Sequence, residues 1–227
     1  MKQVSDFRRN GARSLVMEVS SHALEQHRAD GVCFQVGVFT NLTPEHLDYH
    51  LDMESYFASK SHLFQELLPR DRGRAVINID DVYGRRLAAM LPSALTCGRS
   101  EDADIHPESV EISLSGIRGS VATPLGTVAV DSPLLGDFNV ENLLCAIGAA
   151  VALHVSPREI AAGINAAKGV PGRLEQVEND RGAVILVDYA HTGDALRRVL
   201  EALQKLSPQR ILTLFGCGGD RDRSKRP

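Results

Sequence analysis

Short apolar runs alternate with stretches whose apolar residues recur every three or four positions, and this alternation organises most of the chain. Ser14–Val19, Phe34–Thr40 and Arg74–Ile79 predict strands. Between the second and third, Met53, Tyr56, Phe57, Leu63, Phe64 and Leu67 recur at helical spacing behind Asp52, a good N-cap, and predict a helix to about Leu68. Another helix is expected at Asp81–Leu91. Strands and helices in this order predict an α/β fold with a mostly parallel sheet. From about Ile105 to Val130 the texture changes to β-branched residues broken by Ser115-Gly116, Gly119, Pro124 and Gly126, which predicts a small antiparallel excursion on the edge of the main sheet.

Helical periodicity returns at Asn139–His154. Ser156-Pro157-Arg158-Glu159 then reads as a capping box with proline in the first turn, opening a helix to about Ala167. Gly169–Arg173 and the polar stretch Glu175–Gly182 predict a boundary, with one domain over residues 1–172 and a second over 173–227. In the second, Ala183–Asp188 predicts a buried strand, Asp194–Leu206 an amphipathic helix and Arg210–Phe215 another strand. That is one β-α-β unit, the start of a Rossmann-like domain.

The chain has 227 residues, 43% hydrophobic and 24% charged, with a formal net charge of -4. Such a balance provides no global field to attract nucleic acid or an anionic membrane, so no nucleic-acid partner and no membrane insertion is expected. The four cysteines form no C-x-x-C pair and no signal-like apolar run precedes them, which fits a reducing cytoplasm.

Lys60 falls in the apolar stripe of the helix behind Asp52. An ammonium in such a stripe must pair, snorkel outward or lose its charge, and a neutral lysine amine captures carbon dioxide as a carbamate, an anionic metal ligand. Snorkelling and carbamate formation both stay open on periodicity alone. Glu18 closes the first predicted strand, where open α/β sheets bind ligands, although a solvated strand end has the same pattern. Ser20-Ser21-His22 follows it without the G-x-S-x-G elbow, which argues against a serine hydrolase. His46, Asp48 and His50 could serve a metal or phosphate site. His46 and His50 have the spacing of zinc ligands on one helix face but lack the H-E-x-x-H glutamate. Gly136–Asn142 could face a nucleotide or merely cap a helix, and Arg173 could reach a phosphate or be a surface arginine. Asp188-Tyr189-Ala190-His191 follows a predicted strand, and Gly216–Arg226 is a weak glycine-rich anion loop that lacks the Walker pattern.

Met17–His22 with Gln26-His27-Arg28, Thr40–His50, Tyr56–Lys60, Gly136–Asn142, Asp188–Thr192 and Phe215–Asp222 occur in the order seen in the Mur ligases, and the chain resembles that family over essentially its whole length. The resemblance points to the branch that adds the third residue of the peptidoglycan stem peptide. It implies an ATP-dependent amide-forming ligase acting on UDP-N-acetylmuramoyl-L-alanyl-D-glutamate and a diamino acid, meso-diaminopimelate or L-lysine, with ATP and Mg2+ and as a monomer. ATP would phosphorylate the D-glutamate carboxylate, and the amine would displace phosphate from the acyl phosphate. Glu18 and His46 match magnesium ligands, and Lys60 matches the carbamylated lysine that helps hold the second ion. Ser20, Gln26 and Arg28 match contacts to the muramoyl-peptide; Asn139, Asn142, Arg173 and Asp188 match ATP-site positions with His191 nearby; Arg221 matches an arginine that contacts diaminopimelate. The family's phosphate loop and its D-N-P-R segment have no counterpart here, so the expectation is a fragment of a central ATPase domain and part of a C-terminal domain, inactive alone. A folylpolyglutamate- or cyanophycin-synthetase-like ligase, a non-catalytic nucleotide-binding module and a zinc hydrolase remain alternatives.

Overall fold

The computed structural model describes residues 2–44, 47–69 and 73–216. His46 and Arg221 lie outside the described residues, as does most of the glycine-rich segment after Phe215.

The sheet that positions the site has three parallel strands in the order β1 (Val36–Phe39), β2 (Arg74–Asn78) and β3 (Leu95–Cys97). In β2 Ala75, Val76, Ile77 and Asn78 are all buried, because helices cover both faces. Ala75 and Ile77 face one apolar cluster with Phe39, Tyr56, Phe57, Leu63, Phe64 and Leu87. Val76 faces the other, with Cys97, Ile105, Val140, Leu144 and Ile147. Strand alternation therefore sends successive residues of one run into two different cores, and the result is a helix-sheet-helix sandwich.

On the first face lie α2 (Ser21–Glu25), α3 (Leu47–His50), α4 (Met53–His62) and α5 (Val82–Met90); α1 (Lys2–Arg9) precedes them. Asp52 caps α4 by accepting from Ser55 N at 2.7 Å, and Asp81 caps α5 by accepting from Tyr83 N and Gly84 N at 2.9 Å each. The expected helix to Leu68 forms, but its last turn, Leu63–Leu67, widens to a π-helix. On the second face α6 (Phe138–Ala152) lies against the sheet. A Cβ on Gly148 would come within 2.6 Å of Val76, so glycine permits that approach.

The β-rich segment forms its own antiparallel sheet, β4 (His106–Ser113), β5 (Gly116–Ala122) and β6 (Val128–Ser132), rather than an extension of the parallel one. A single bridge, Cys97 to Ile105, links the two. The side chains facing α6 and α7 (Pro157–Ala166) merge into the second core. The capping box that opens α7 is present as expected: Glu159 N donates to Ser156 Oγ, and Glu159 Oε2 accepts from Ser156 N at 3.1 Å.

Three expected strands are corrected. Ser14–Val19 is irregular, with Val16 97% exposed, so Glu18 does not sit at a strand end. Arg210–Phe215 is also irregular, and Leu214 is fully exposed. Ala183–Asp188 shortens to β8 (Ile185–Val187), which pairs antiparallel with β7 (Glu175–Val177) and stays half-exposed. A strand needs a neighbour for its backbone donors and acceptors, and no described strand lies beside 14–19 or 210–215. Beyond β8 the described residues hold α8 (Gly193–Gln204) and no second strand.

Candidate functional site

The polar residues singled out by the sequence fall into two groups. The first gathers around α2, α3 and α4. Ser20 caps α2, its hydroxyl accepting from Ala23 N at 3.2 Å, and Glu18 is exposed just before this cap. Gln26, at the end of α2, donates to the Tyr49 hydroxyl at 3.4 Å. At the centre is His50, 3% exposed. Its Nε2 lies 2.8 Å from Ser21 Oγ and its Nδ1 3.3 Å from Glu25 Oε2, which also accepts from Ser59 Oγ at 3.1 Å.

A neutral imidazole satisfies both contacts if Nδ1–H donates to the carboxylate and Nε2 accepts from the hydroxyl. Both ring nitrogens of His50 are thus engaged within the protein. The His50 ring stacks on Tyr56 at 4.8 Å and 16°, and the Lys60 ammonium lies 5.3 Å from the centre of the same Tyr56 ring. Lys60 is half-buried, at its expected place in the stripe. Glu18, Ser20, Gln26 and Lys60 thus belong to the segments organised by one buried histidine.

Sequence reasoning did not see Ser21 and Glu25 as a pair. Their i, i+4 spacing on α2 was the available signal, since it puts a hydroxyl and a carboxylate on one face to receive an imidazole. Arg28 completes the turn after α2. Its N–H donates to Ala23 O at 2.8 Å while His27 N–H donates to Leu24 O at 3.0 Å, a Schellman ending with His27 at φ 55.

The second group surrounds the start of α6 and the end of β8. Asn139, 8% exposed, donates from Nδ2 to Leu135 O at 2.7 Å and accepts from Asn142 Nδ2 at 2.9 Å, so its amide holds the turn at Gly136. Asp188 accepts from Leu174 N at 2.9 Å and from Ala190 N at 2.7 Å, fastening the Arg173 segment to the end of β8. The Arg173 guanidinium lies 5.3 Å from the Tyr189 ring centre, and His191 packs against that ring at 5.3 Å. Arg173, Asp188 and His191 are therefore neighbours. A cleft of about 300 Å3 beside them is lined by Leu134, Leu135, Arg173, Leu174 and Gln176.

Asp137 joins α6 to α8. It pairs with Arg99 at 2.7 Å and Lys205 at 2.5 Å, and Arg99 also reaches Glu141 at 3.3 Å. Burial opposes the Asp137 carboxylate, but hydrogen bonds and charge from Lys205 and Arg99 outweigh it and hold its pKa below the ordinary value. A depressed folded pKa adds stability above the unfolded value of about 3.9, and that stability disappears as pH falls through the folded value. Asp137→Asn should therefore cost about 1 kcal/mol at pH 7, a figure discounted for the partly exposed partners. Urea midpoints of variant and parent should converge as pH falls through the folded value. An equal difference above and below that value would contradict this account.

A parallel sheet covered by helices on both faces, with polar loops gathered at strand and helix ends, defines the chain as a three-layer α/β protein. The chain belongs to the Mur ligase family: residues 1–150 match the Mur ligase middle domain, and residues 172–227 match the glutamate ligase domain of Mur ligases. It is 54% identical over its whole length to the UDP-N-acetylmuramoyl-L-alanyl-D-glutamate--2,6-diaminopimelate ligase of Geobacter metallireducens, of which it covers 45%. It is 52% identical over 96% of its length to the enzyme of the same name from Gloeobacter violaceus, covering 44% of it. The chain thus spans about half the length of the curated relatives it matches. A solved 2,6-diaminopimelate ligase of the same name superposes with a TM-score of 0.78 at 35% identity, covering 99% of this chain and 47% of that one. MurF from Acinetobacter baumannii shares the fold, with a TM-score of 0.65 at 24% identity over 75% of this chain and 37% of its own.

Proposed function

We propose that the chain forms the centre of an ATP-dependent ligase that joins 2,6-diaminopimelate to UDP-N-acetylmuramoyl-L-alanyl-D-glutamate, with residues 1–172 as central domain and 173–227 as C-terminal domain. The observation that carries this reading is the α2–α3–α4 cluster, in which His50 fixes the helices bearing Ser20, Gln26, Arg28 and Lys60 beside exposed Glu18. Relatives near half identity over the full chain carry the same activity in their names. Diaminopimelate is preferred to L-lysine on that ground.

In this reading Ser20, Gln26 and Arg28 bind the muramoyl-peptide, while Asn142, Arg173, Asp188 and His191 line the ATP side with Asn139 holding their turn. Arg221 contacts the incoming amino acid. The donor chemistry suits magnesium, since Glu18 offers a hard carboxylate and Lys60, as a carbamate, would offer more oxygen; His46 completes the set. Bound there, magnesium would neutralise charge on the transferring phosphoryl group. Cationic side chains serve the same end, and positioning accounts for most of the remaining acceleration.

No helix among the described residues is long and apolar enough to cross a membrane. A cytoplasmic monomer is the form we propose. The test is phosphate release by the full ligase of which this chain forms the centre, with ATP, the UDP-muramoyl-dipeptide and either diaminopimelate or L-lysine. Release dependent on diaminopimelate is expected; release with L-lysine alone would overturn the assignment of the amine, and release without the dipeptide would overturn the ligase reading.

A further inference from the structure

On the far side of α2 from Ser20, three side chains converge that the ligase site does not use. His27 Nδ1 lies 3.0 Å from Asp30 Oδ2. The His62 ring, at the last residue of α4, meets the His27 ring edge-on with centroids 5.9 Å apart. One ligand atom from each of His27, Asp30 and His62 lies within 4.8 Å of the others, and no other such triad occurs among the described residues.

A further observation points to a ligand. His62 Nε2 is buried and has no hydrogen-bond partner, so a lone pair or an N–H is kept from both water and protein. His27 holds a left-handed backbone, φ 55, at a helix ending where glycine fits without strain.

We propose that His27, Asp30 and His62 form a binding site for a divalent transition-metal ion of the zinc type. Two imidazoles and one carboxylate are the donor set zinc favours, with a fourth position left to water, whereas magnesium prefers oxygen alone. Tetrahedral zinc needs its ligand atoms roughly 3.3 Å apart, from bonds of about 2.0 Å. His27 and Asp30, with side chains 68% and 47% exposed, are free to swing toward the partly buried His62 and supply that contraction. The ion replaces the imidazole–carboxylate hydrogen bond and ties the turn carrying Gln26 and Arg28 to the end of α4. The site stands independently of the ligase reading.

The experiment is titration of the metal-free 227-residue chain with Zn2+ by calorimetry and with Co2+ by visible absorption, in excess Mg2+. One ion per chain is expected, undiminished by magnesium, with cobalt bands of imidazole and carboxylate ligation. His27→Gly removes a ligand while supplying the residue the backbone favours, so it should keep or raise the melting temperature and weaken binding by at least about 10-fold. His62→Leu, which fills the same space, should weaken it likewise; if that variant fails to fold, His27→Gly decides. Absence of saturable binding overturns the proposal. So does unchanged affinity in His27→Gly, or full displacement by magnesium, which would place the ion at oxygen ligands elsewhere.

Discussion

Replacing His50 with alanine should destabilise the α2–α3–α4 cluster by about 3 kcal/mol, from a cavity left in place of a buried ring and a hydroxyl left unpaired. The magnitude rests on which contacts are dry. Glu25 is 49% exposed, so its hydrogen bond with His50 competes with water and contributes little. Ser21 is 2% exposed and the His50 ring is stacked on Tyr56, which is itself 5% exposed, so loss of these contacts exposes no compensating water. His50→Gln should recover part of the loss by keeping one hydrogen bond, without the stack. Hydrogen exchange is the sharpest measurement: amides of α2 and α4 should lose protection while β4, β5 and β6 keep theirs, since the antiparallel sheet belongs to the other core. Unchanged protection in α2 would show that His50 does not organise the cluster. In the ligase reading the same variant should impair muramoyl-peptide binding, because Ser20 and Gln26 depend on α2.

Features that are local in sequence were legible, and those that depend on a distant partner were not. The Asp52 cap and the Ser156–Glu159 capping box are decided within four residues, and each forms as read. Arg74–Asn78 was legible because burial on both faces writes a continuous apolar run. Ser14–Val19 and Arg210–Phe215 carry the same kind of run, yet neither forms a strand among the described residues, because a ladder partner is a property of the fold and not of the segment. The π-turn at Leu63–Leu67 was equally silent, since its wider winding leaves the apolar spacing almost unaltered. In the candidate site, the motifs singled out Ser20, Gln26 and Lys60, but the histidine that joins them was read only as a possible ligand. Its role requires α2 and α3 to meet, with Ser21 and Glu25 brought to His50 from about a helix-and-strand's length away in sequence. His27 was hidden for another reason: nothing in Gln26-His27-Arg28 announces a left-handed residue when the glycine that normally marks it is absent.

In the ligase reading, Lys60→Arg should leave the fold intact and abolish most activity of the full ligase, a loss of about 100-fold or more in kcat if the lysine acts as a carbamate. The prediction turns on what the two side chains share. Both place a cation over Tyr56, an interaction of about 0.5–1 kcal/mol at a partly exposed site, so stability should change little. Only lysine can lose its proton at accessible pH and take up carbon dioxide, because the guanidinium stays charged. The Tyr56 ring favours the ammonium and so opposes the neutral amine that carbamate formation needs. The driving force must therefore come from cations that bind the resulting carboxylate oxygens, and modification should depend on magnesium and nucleotide rather than on the protein alone. Carbon-dioxide trapping followed by mass measurement of the Lys60 peptide, with and without magnesium and ATP, reads this dependence directly. An arginine variant within about 10-fold of the parent kcat would exclude the carbamate, since the loss would then be no larger than a change in side-chain shape produces. Lys60→Ala adds the complementary arm: the space it opens admits a small carboxylate, and recovery of activity with formate or acetate would identify the missing group as an anion of oxygen donors rather than a cation.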